Sequence, residues 1–238
     1  MTTNWQTMES QYYMHVVNRQ PIVIERGAGA RVWDVEGREY LDFTAGWAVN
    51  NLGHCHPSVT RAVQEQAALL FQTSNQFYTI PQLQLVQLLI ENSALDRAFV
   101  ANSGVEANEG AVKLARKYGR LHRDGAFEVI TALNSFHGRS LAMSAATGQP
   151  HYHEAWKPLP TGFVNVPYND LDALRKATSD RTCAVMLEPV QGEGGVIIPS
   201  RDYLRSVRQW CDEQGLLLIF LGDRKFFFNS LFINEFLF

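Results

Sequence analysis

Apolar and polar residues alternate with a period of two in the first fifth of the chain. The alternation runs through residues 22–43 and is interrupted by a turn-like insert at residues 34–38. This insert separates residues 31–33 from residues 39–43, which carry the same alternation. Two alternating runs joined by a short polar turn predict a β-hairpin.

After the hairpin, the spacing of apolar residues becomes helical. Pro57 and Pro81 each precede a run with apolar residues three or four positions apart, and proline suits the first turn of a helix. The sequence therefore predicts two amphipathic helices. Their apolar stripes are Val59, Ala62, Val63, Ala67 and Leu70 in the first, and Leu85, Val86, Leu88 and Leu89 in the second.

Short apolar runs and helical runs alternate through the rest of the chain to residue 220. A short apolar run at residues 98–101 is expected to be a strand that leads into a helix continuing through Tyr118. Near-continuous apolar strands between amphipathic helices are typical of an α/β domain with a mostly parallel sheet. Further strands are predicted at residues 128–131, 163–166, 183–187 and 216–220, and helices at residues 170–178 and 201–214, the last with Leu204, Val207 and Cys211 inward.

The last eighteen residues interrupt this order. Residues 221–238 hold six of the fourteen phenylalanines and have neither a clean helical nor a clean strand period. The pattern therefore predicts neither a helix nor a strand in this tail.

Composition narrows the possible classes of protein. With 238 residues, 46% of them hydrophobic, the chain can bury a substantial core. A net charge of −3 gives no basic field for nucleic acid. Three cysteines without CxxC spacing, no signal-like N-terminus and no apolar run of membrane-spanning length favour a soluble cytoplasmic protein.

Residues 102–109 form a small-residue turn that starts a helix. Such a turn directs free backbone N–H groups and the positive end of the helix dipole at one spot, which suits a phosphate. It has neither a Gly-Lys-Ser/Thr nor a GxGxxG pattern, so a nucleoside triphosphate or a dinucleotide is disfavoured. Taken alone, the same residues also suit an ordinary capped helix start.

Two further loops follow predicted strands and could converge on the same place. In residues 135–139, Phe136 offers a flat face for stacking and Arg139 a planar fork for a carboxylate. In residues 188–195, Glu188 and Glu193 offer acceptors for amines or for the arginine. A phosphate cradle, an aromatic plate and a carboxylate fork together suit a phosphorylated ring cofactor that handles an amino acid. His54, Cys55 and His56 supply too few ligands for a metal, so no metal site is predicted.

Three motifs in this order resemble the class III pyridoxal-phosphate aminotransferases, and most closely the acetylornithine/ornithine branch. They are Asn-Ser-Gly-x-Glu-Ala-Asn-Glu, Phe-His-Gly-Arg and Glu-Pro-Val-Gln-Gly-Glu-Gly-Gly, and residues 46–50, 53–57 and 73–78 add to the likeness. The resemblance covers roughly residues 10–220. It implies an incomplete large domain of the aspartate aminotransferase-like fold. The implied organisation is an N-terminal segment with a β-hairpin (residues 1–50), a partial cofactor-binding domain (residues 51–220) and a tail foreign to the family (residues 221–238).

The resemblance also implies roles for individual residues. Pyridoxal phosphate would be held at the phosphate by Ser103, Gly104 and Val105, while Phe136 would stack on its ring and His137 and Glu188 would complete the cofactor site. Arg139 would bind the α-carboxylate of the substrate, and Glu193 would lie near the substrate side chain or hold a gating arginine. Val105 stands where the family usually has Thr or Ala, so one hydroxyl contact would be missing.

The chain departs from the family at Leu221. After an apolar strand such as residues 216–220, the family has an Asp that pairs with the pyridinium nitrogen and, further on, a Lys that forms the Schiff base. Asp223 is two residues late, which displaces a side chain by about 6–7 Å along a strand, beyond hydrogen-bond reach unless the backbone bends at Gly222. None of the five lysines stands in the family's context, so no catalytic residue is assigned; they are Lys113, Lys117, Lys157, Lys176 and Lys225.

Three hypotheses follow for the function. The first is the front part of an acetylornithine-type aminotransferase whose reading frame or splice junction is altered after Phe220. Its parent would transfer an amino group from an ω-amine of an ornithine derivative to 2-oxoglutarate in arginine biosynthesis, as a homodimer. The second is a non-catalytic relative that binds the cofactor or an intact enzyme. The third is an unrelated phosphate-binding α/β protein.

Overall fold

A computed structural model describes residues 4–222 and 231–233, and these residues fall into two compact units that divide between Phe77 and Tyr78. The domain boundaries expected at residues 50 and 220 stay predictions. Most of the tail, including Asp223 and Lys225, lies outside the described residues. None of the described helices has the length and apolar character that crossing a membrane requires.

The first unit contains a three-stranded antiparallel sheet. Its strands β1, β2 and β3 pair in chain order, so the predicted hairpin is confirmed as β2–β3 and β1 extends it. The strands are Ile24–Ala28 (β1), Arg31–Asp34 (β2) and Glu39–Leu41 (β3), and the helices are Trp5–Tyr12 (α1), the single turn Ala45–Ala48 (α2) and Pro57–Leu69 (α3).

Asp34 holds the hairpin turn together. Its carboxylate accepts hydrogen bonds from the backbone N–H groups of Glu36 and Arg38, from Arg38 Nε at 2.8 Å and from Tyr40 Oη at 2.8 Å. Burial alone would raise the pKa of Asp34, but these donors outweigh it and lower the pKa to about 2. The carboxylate is therefore ionised at neutral pH and stabilises the turn in that form.

The single turn α2 has an unusual backbone. All four of its residues have positive φ angles, and three of them, Ala45, Trp47 and Ala48, are not glycine. Asp42 anchors the start of the turn, because its carboxylate accepts from the N–H groups of Thr44 and Ala45. Left-handed backbone costs roughly 1–2 kcal/mol per non-glycine residue, so this turn stores strain.

The second unit is an α/β domain. Its sheet has the strand order β5-β4-β6-β7-β8, in which the first four strands are parallel and β8 is antiparallel to β7. The strands are Glu128–Ala132 (β4), Phe163–Val166 (β5), Thr182–Leu187 (β6), Leu217–Leu221 (β7) and Leu231–Ile233 (β8). The helices are Ile80–Glu91 (α4), Gly104–His122 (α5), Leu141–Ala146 (α6), Leu171–Ala177 (α7) and Tyr203–Gln214 (α8).

Both faces of this sheet are covered, as the near-continuous apolar strands predict. Met186 faces a core that includes Ala111 and Ala115 of α5, while Val185 and Leu187 face a core that includes Val207 of α8. The α/β class, the mostly parallel sheet and its flanking helices are thus confirmed.

Two sequence expectations need correction. The described residues 98–101 form no strand, and the side chain of Phe99 is 72% exposed, so the apolar run before α5 has no sheet partner. In the tail, residues 231–233 do form a strand, β8, although their pattern predicts none. Pairing through backbone groups needs no period of side chains, so the free edge of β7 can bind this segment.

Candidate functional site

Three segments meet at the carboxyl ends of the parallel strands in the second unit. Parallel neighbours β4 and β6 end on the same side, and the loops that follow them contain residues 133–139 and 188–195. The start of α5 lies against the first of these loops. In open α/β sheets this edge is where ligands bind.

The start of α5 presents free donors. Ser103 is its N-cap, and its hydroxyl accepts from the N–H of Glu106 at 3.4 Å. The Glu106 carboxylate reaches back and accepts from the N–H of Asn102 at 2.6 Å. Among the described residues, the N–H groups of Gly104 and Val105 have no hydrogen-bond partner. Two free N–H groups at the positive end of a 19-residue helix suit an anion.

Close packing attaches α5 to the loop after β4. The side-chain amide of Asn108 is buried and donates to the carbonyl oxygen of His137 at 2.8 Å. Gly138 has a φ of 129°, and a Cβ at this position would lie 2.6 Å from Cγ2 of Val105. Only glycine therefore permits this approach, which keeps Val105 beside the loop that carries Phe136.

Glu188 joins the loops after β4 and β6. Glu188 is buried, with 8% of the residue exposed. Its carboxylate accepts from the N–H of Phe136 at 3.1 Å and from the N–H of Gly192 at 3.3 Å. Gln191 adds a second link, since its side-chain amide donates to the carbonyl of Leu133 at 2.8 Å. Sequence reasoning treated Glu188 as an acceptor for ligands, and the structure shows that it also positions the backbone of Phe136.

His137 is almost completely enclosed, at 1% exposure. Burial lowers the pKa of its imidazole to about 3, so the ring is neutral at pH 7. Neither ring nitrogen has a hydrogen-bond partner within residues 4–222. A buried imidazole without partners is costly, which points to a polar group supplied from outside these residues.

Arg139 and Glu193 lie at the exposed rim of the site. No ion-pair partner for the Arg139 guanidinium is found in the described part of the chain. The Glu193 carboxylate accepts from the hydroxyl of Tyr152 at 2.8 Å, and the Tyr152 ring lies 5.8 Å from the Phe136 ring between centroids. Tyr152 was not predicted from the sequence. It lies in a short 3-10 turn, residues 150–152, that contains no motif of recognisable chemistry.

The three segments thus form one connected constellation. These segments carry all eight residues that the sequence analysis assigned to the cofactor and the substrate, whose roles stay predictions; they are Ser103, Gly104, Val105, Phe136, His137, Arg139, Glu188 and Glu193. The free N–H groups and the Phe136 ring fit a phosphorylated aromatic cofactor. No group of three or more His, Cys, Asp or Glu side chains in the described residues could hold a metal ion.

Comparisons with known proteins agree with this chemistry. Residues 12–221 match the family described as Aminotransferase class-III. The chain is 51% identical over 219 residues to the acetylornithine aminotransferase of Methanocaldococcus jannaschii, covering 91% of this chain and 55% of that protein. It is 50% identical over 214 residues to the acetylornithine aminotransferase of Caldanaerobacter subterraneus, covering 90% and 54%.

Solved structures give the same result. The ornithine aminotransferase of Toxoplasma gondii superposes with a TM-score of 0.85 at 34% identity, covering 91% of this chain and 52% of that one, and another structure of that enzyme has partial occupancy of PLP at its active site. The N-acetylornithine aminotransferase of Stenotrophomonas maltophilia superposes with a TM-score of 0.73 at 38% identity, covering 90% and 52%. The chain therefore spans about half the length of the relatives it matches.

Proposed function

Because the chain belongs to the class III aminotransferases, we propose that it forms the phosphate- and ring-binding half of an acetylornithine-type aminotransferase site. Pyridoxal phosphate is the cofactor that the family implies, and amino acids and 2-oxoacids are the substrates of the family. The observation that carries the proposal is the connection of α5, the Phe136 loop and the Glu188 loop at one edge of the sheet.

We assign each predicted binding residue to one part of the cofactor or substrate. The N–H groups of Gly104 and Val105, with Ser103, bind the phosphate of the cofactor, and Phe136 packs on its ring. Arg139 binds the α-carboxylate of the amino acid through its planar fork. When bound, pyridoxal phosphate supplies an electron sink for the carbon that loses its proton. The protein's part here is to orient the ring and the amino acid.

The proposed substrate pair is N-acetylornithine, or a related ω-amine, and 2-oxoglutarate. Its support is the name that two relatives at 50% and 51% identity carry, acetylornithine aminotransferase. Since the chain spans about half the length of those relatives, residues outside it share in the choice of substrate.

We further propose that the 238-residue chain alone does not transaminate. Leu221 ends β7, at the place where the resemblance expects the Asp that pairs with the pyridinium nitrogen. The four lysines within residues 4–222 are all exposed: Lys113 and Lys117 on α5, Lys176 on α7 and Lys157 after a 3-10 turn. A lysine that links the cofactor and moves a proton must instead lie at the ring.

The test combines cofactor binding with covalent mapping. The chain is mixed with pyridoxal phosphate, with pyridoxal and with glucose 6-phosphate, and affinities are measured by fluorescence quenching. We expect pyridoxal phosphate to bind more tightly than pyridoxal or glucose 6-phosphate. It alone offers both a phosphate for the N–H groups at the start of α5 and an aromatic ring for Phe136. Equal affinity for the phosphosugar would indicate a general phosphate-binding protein and contradict the proposal.

Borohydride reduction and peptide mapping follow on the same sample, together with an assay of N-acetylornithine and 2-oxoglutarate. No single lysine should carry a stoichiometric adduct, and no turnover should occur. One unique adduct accompanied by turnover would refute the proposed inactivity while leaving the cofactor site standing.

A second candidate function is a non-catalytic subunit that binds an intact aminotransferase. The observation in its favour is that the loops proposed to bind the cofactor are joined to each other, whereas Leu221 ends β7 where the resemblance expects an Asp. Co-expression with a full-length acetylornithine aminotransferase should then yield a stable complex. Failure of the two chains to co-purify would remove this candidate.

We also propose that the chain, joined to the half that its relatives carry in addition, forms a homodimer in the cytoplasm. Large exposed apolar side chains, among them Phe71, Tyr78 and Phe99, support an assembly that covers them. Free Cys55, Cys183 and Cys211 support a reducing compartment. Light scattering of a full-length protein tests the dimer, and a monomer would contradict it.

A further inference from the structure

Tyr152 contacts both loops that are proposed to bind the amino acid. Its ring packs against Phe136 with 5.8 Å between centroids, and its hydroxyl donates to Glu193 at 2.8 Å. The ring contact is to the loop after β4, and the hydrogen bond is to the loop after β6. Tyr152 therefore sets where the Glu193 carboxylate lies relative to the loop that carries Arg139.

Three acids of these segments each accept a hydrogen bond from another residue. Ser140, the next residue after Arg139, donates its hydroxyl to Glu109. Glu188 accepts from the N–H groups of Phe136 and Gly192 and is buried. Glu193 is the exposed one of the three, and the hydroxyl of Tyr152 is its hydrogen-bond donor in the described residues. Without the Tyr152 hydroxyl, Glu193 is an exposed carboxylate with no other hydrogen-bond donor in the described part of the chain.

The charge of Arg139 reaches the same hydroxyl. Burial, the hydrogen bond to Glu193 and the charge of Glu193 raise the pKa of Tyr152, and the positive charge of Arg139 acts in the opposite direction. Tyr152 thus lies within the electrostatic reach of both side chains. An exposed guanidinium and an exposed carboxylate attract each other and form an ion pair where the two side chains meet.

We propose that Tyr152 is a positioning residue that keeps Glu193 from pairing with Arg139, so that the Arg139 fork stays open to the carboxylate of an amino-acid substrate. The inference rests on the proposed function, in which Arg139 binds that carboxylate. An internal ion pair would compete with the substrate, because a carboxylate bound to one edge of the guanidinium occupies some of its five N–H donors and offsets its positive charge.

The test measures the affinity of the full chain for glutarate, the probe, by NMR titration. The unmodified chain, the two single variants and the double variant are compared. Tyr152→Phe keeps the ring contact with Phe136 and removes the hydroxyl. It should weaken glutarate binding by about two- to fivefold, the range expected for competition by an exposed ion pair. Adding Glu193→Gln should restore the affinity to that of Glu193→Gln alone. Tyr118→Phe, which loses a hydroxyl bonded to the Gly215 carbonyl at the far end of α5, is the matched control and should not change binding.

A second measurement needs no ligand. The Nε–H signal of Arg139, assigned by its loss in Arg139→Ala, should shift in Tyr152→Phe and return in the double variant. Unchanged glutarate affinity in Tyr152→Phe, or a loss that Glu193→Gln does not reverse, would overturn the inference. If glutarate binds to no variant and not to the unmodified chain, the role of Arg139 in the proposed function fails. The Arg139 signal then decides the inference alone, because an unshifted signal in Tyr152→Phe overturns it.

Discussion

The contact between the C-terminal part of α5 and the amino ends of β4 and β6 depends on one glycine, Gly119, and replacing it should have a large effect. A Cβ at Gly119 would lie 1.9 Å from the carbonyl oxygen of Ala126 and 2.9 Å from Cβ of Cys183. The first of these atoms belongs to the backbone and cannot rotate away. We therefore predict that Gly119→Ala destabilises the chain, although alanine is the better helix former.

The size of the effect follows from two opposing contributions. Replacing glycine by alanine inside a helix stabilises by up to about 1 kcal/mol. Moving the Ala126 oxygen from 1.9 Å to an ordinary contact of 3.4 Å requires a shift of about 1.5 Å in a closely packed unit. Overpacking of this kind typically costs about 1–3 kcal/mol and sometimes more. Because the obstructing atom is backbone, we expect the upper end and a net loss of about 2 kcal/mol.

Gly110 in the same helix provides the matched control. A Cβ there would come within 3.3 Å only of the ring of Phe99, which is largely exposed and can move. Gly110→Ala should therefore stabilise by about 0.5–1 kcal/mol. Urea unfolding followed by far-UV circular dichroism measures both variants. Shifts of the same sign, or a Gly119→Ala variant as stable as the unmodified chain, would refute the packing argument.

Three further predictions concern other parts of the chain. Asn108→Ala leaves the buried carbonyl of His137 without its donor, so urea unfolding should show a loss of about 1–3 kcal/mol; an unchanged midpoint would contradict this. Ala48→Gly relieves left-handed backbone and should stabilise the first unit by about 1 kcal/mol in thermal unfolding, and a lower midpoint would count against the strain. The pKa of Asp34 is depressed from 3.8 to about 2, so its contribution is present above about pH 4 and is lost as the pH falls through 2. Asp34→Asn should therefore lose less stability between pH 5 and pH 2 than the unmodified chain, and an equal loss would contradict the assignment.

Local pattern was sufficient for most secondary structure. The buried strands Glu128–Ala132 and Thr182–Leu187 and the helix Tyr203–Gln214 lie within two residues of where their periodicity predicts them. Pattern failed at residues 98–101, where an apolar run stays outside the sheet, and at Leu231–Ile233, where a strand forms without a period. In both cases the outcome depends on whether a strand edge is available, which is not a local property.

The chemistry of the site was also readable from residue types in short motifs. An N-capped helix start, an aromatic residue followed by an arginine, and a paired-glutamate loop carry their chemistry within a few residues. Such motifs can be recognised before any contact is known, because capping, stacking and bidentate binding depend on the residue type and its immediate neighbours.

Only the three-dimensional structure shows which of these groups contact one another. Glu188 binds the N–H of Phe136 across 52 positions of the chain, and Tyr152 binds Glu193 across 41. Both contacts exist because β4 and β6 are parallel neighbours whose loops emerge at one edge. Periodicity reports the environment of a residue over one or two turns, whereas strand order brings distant residues together, so no short window of the sequence could have revealed Tyr152.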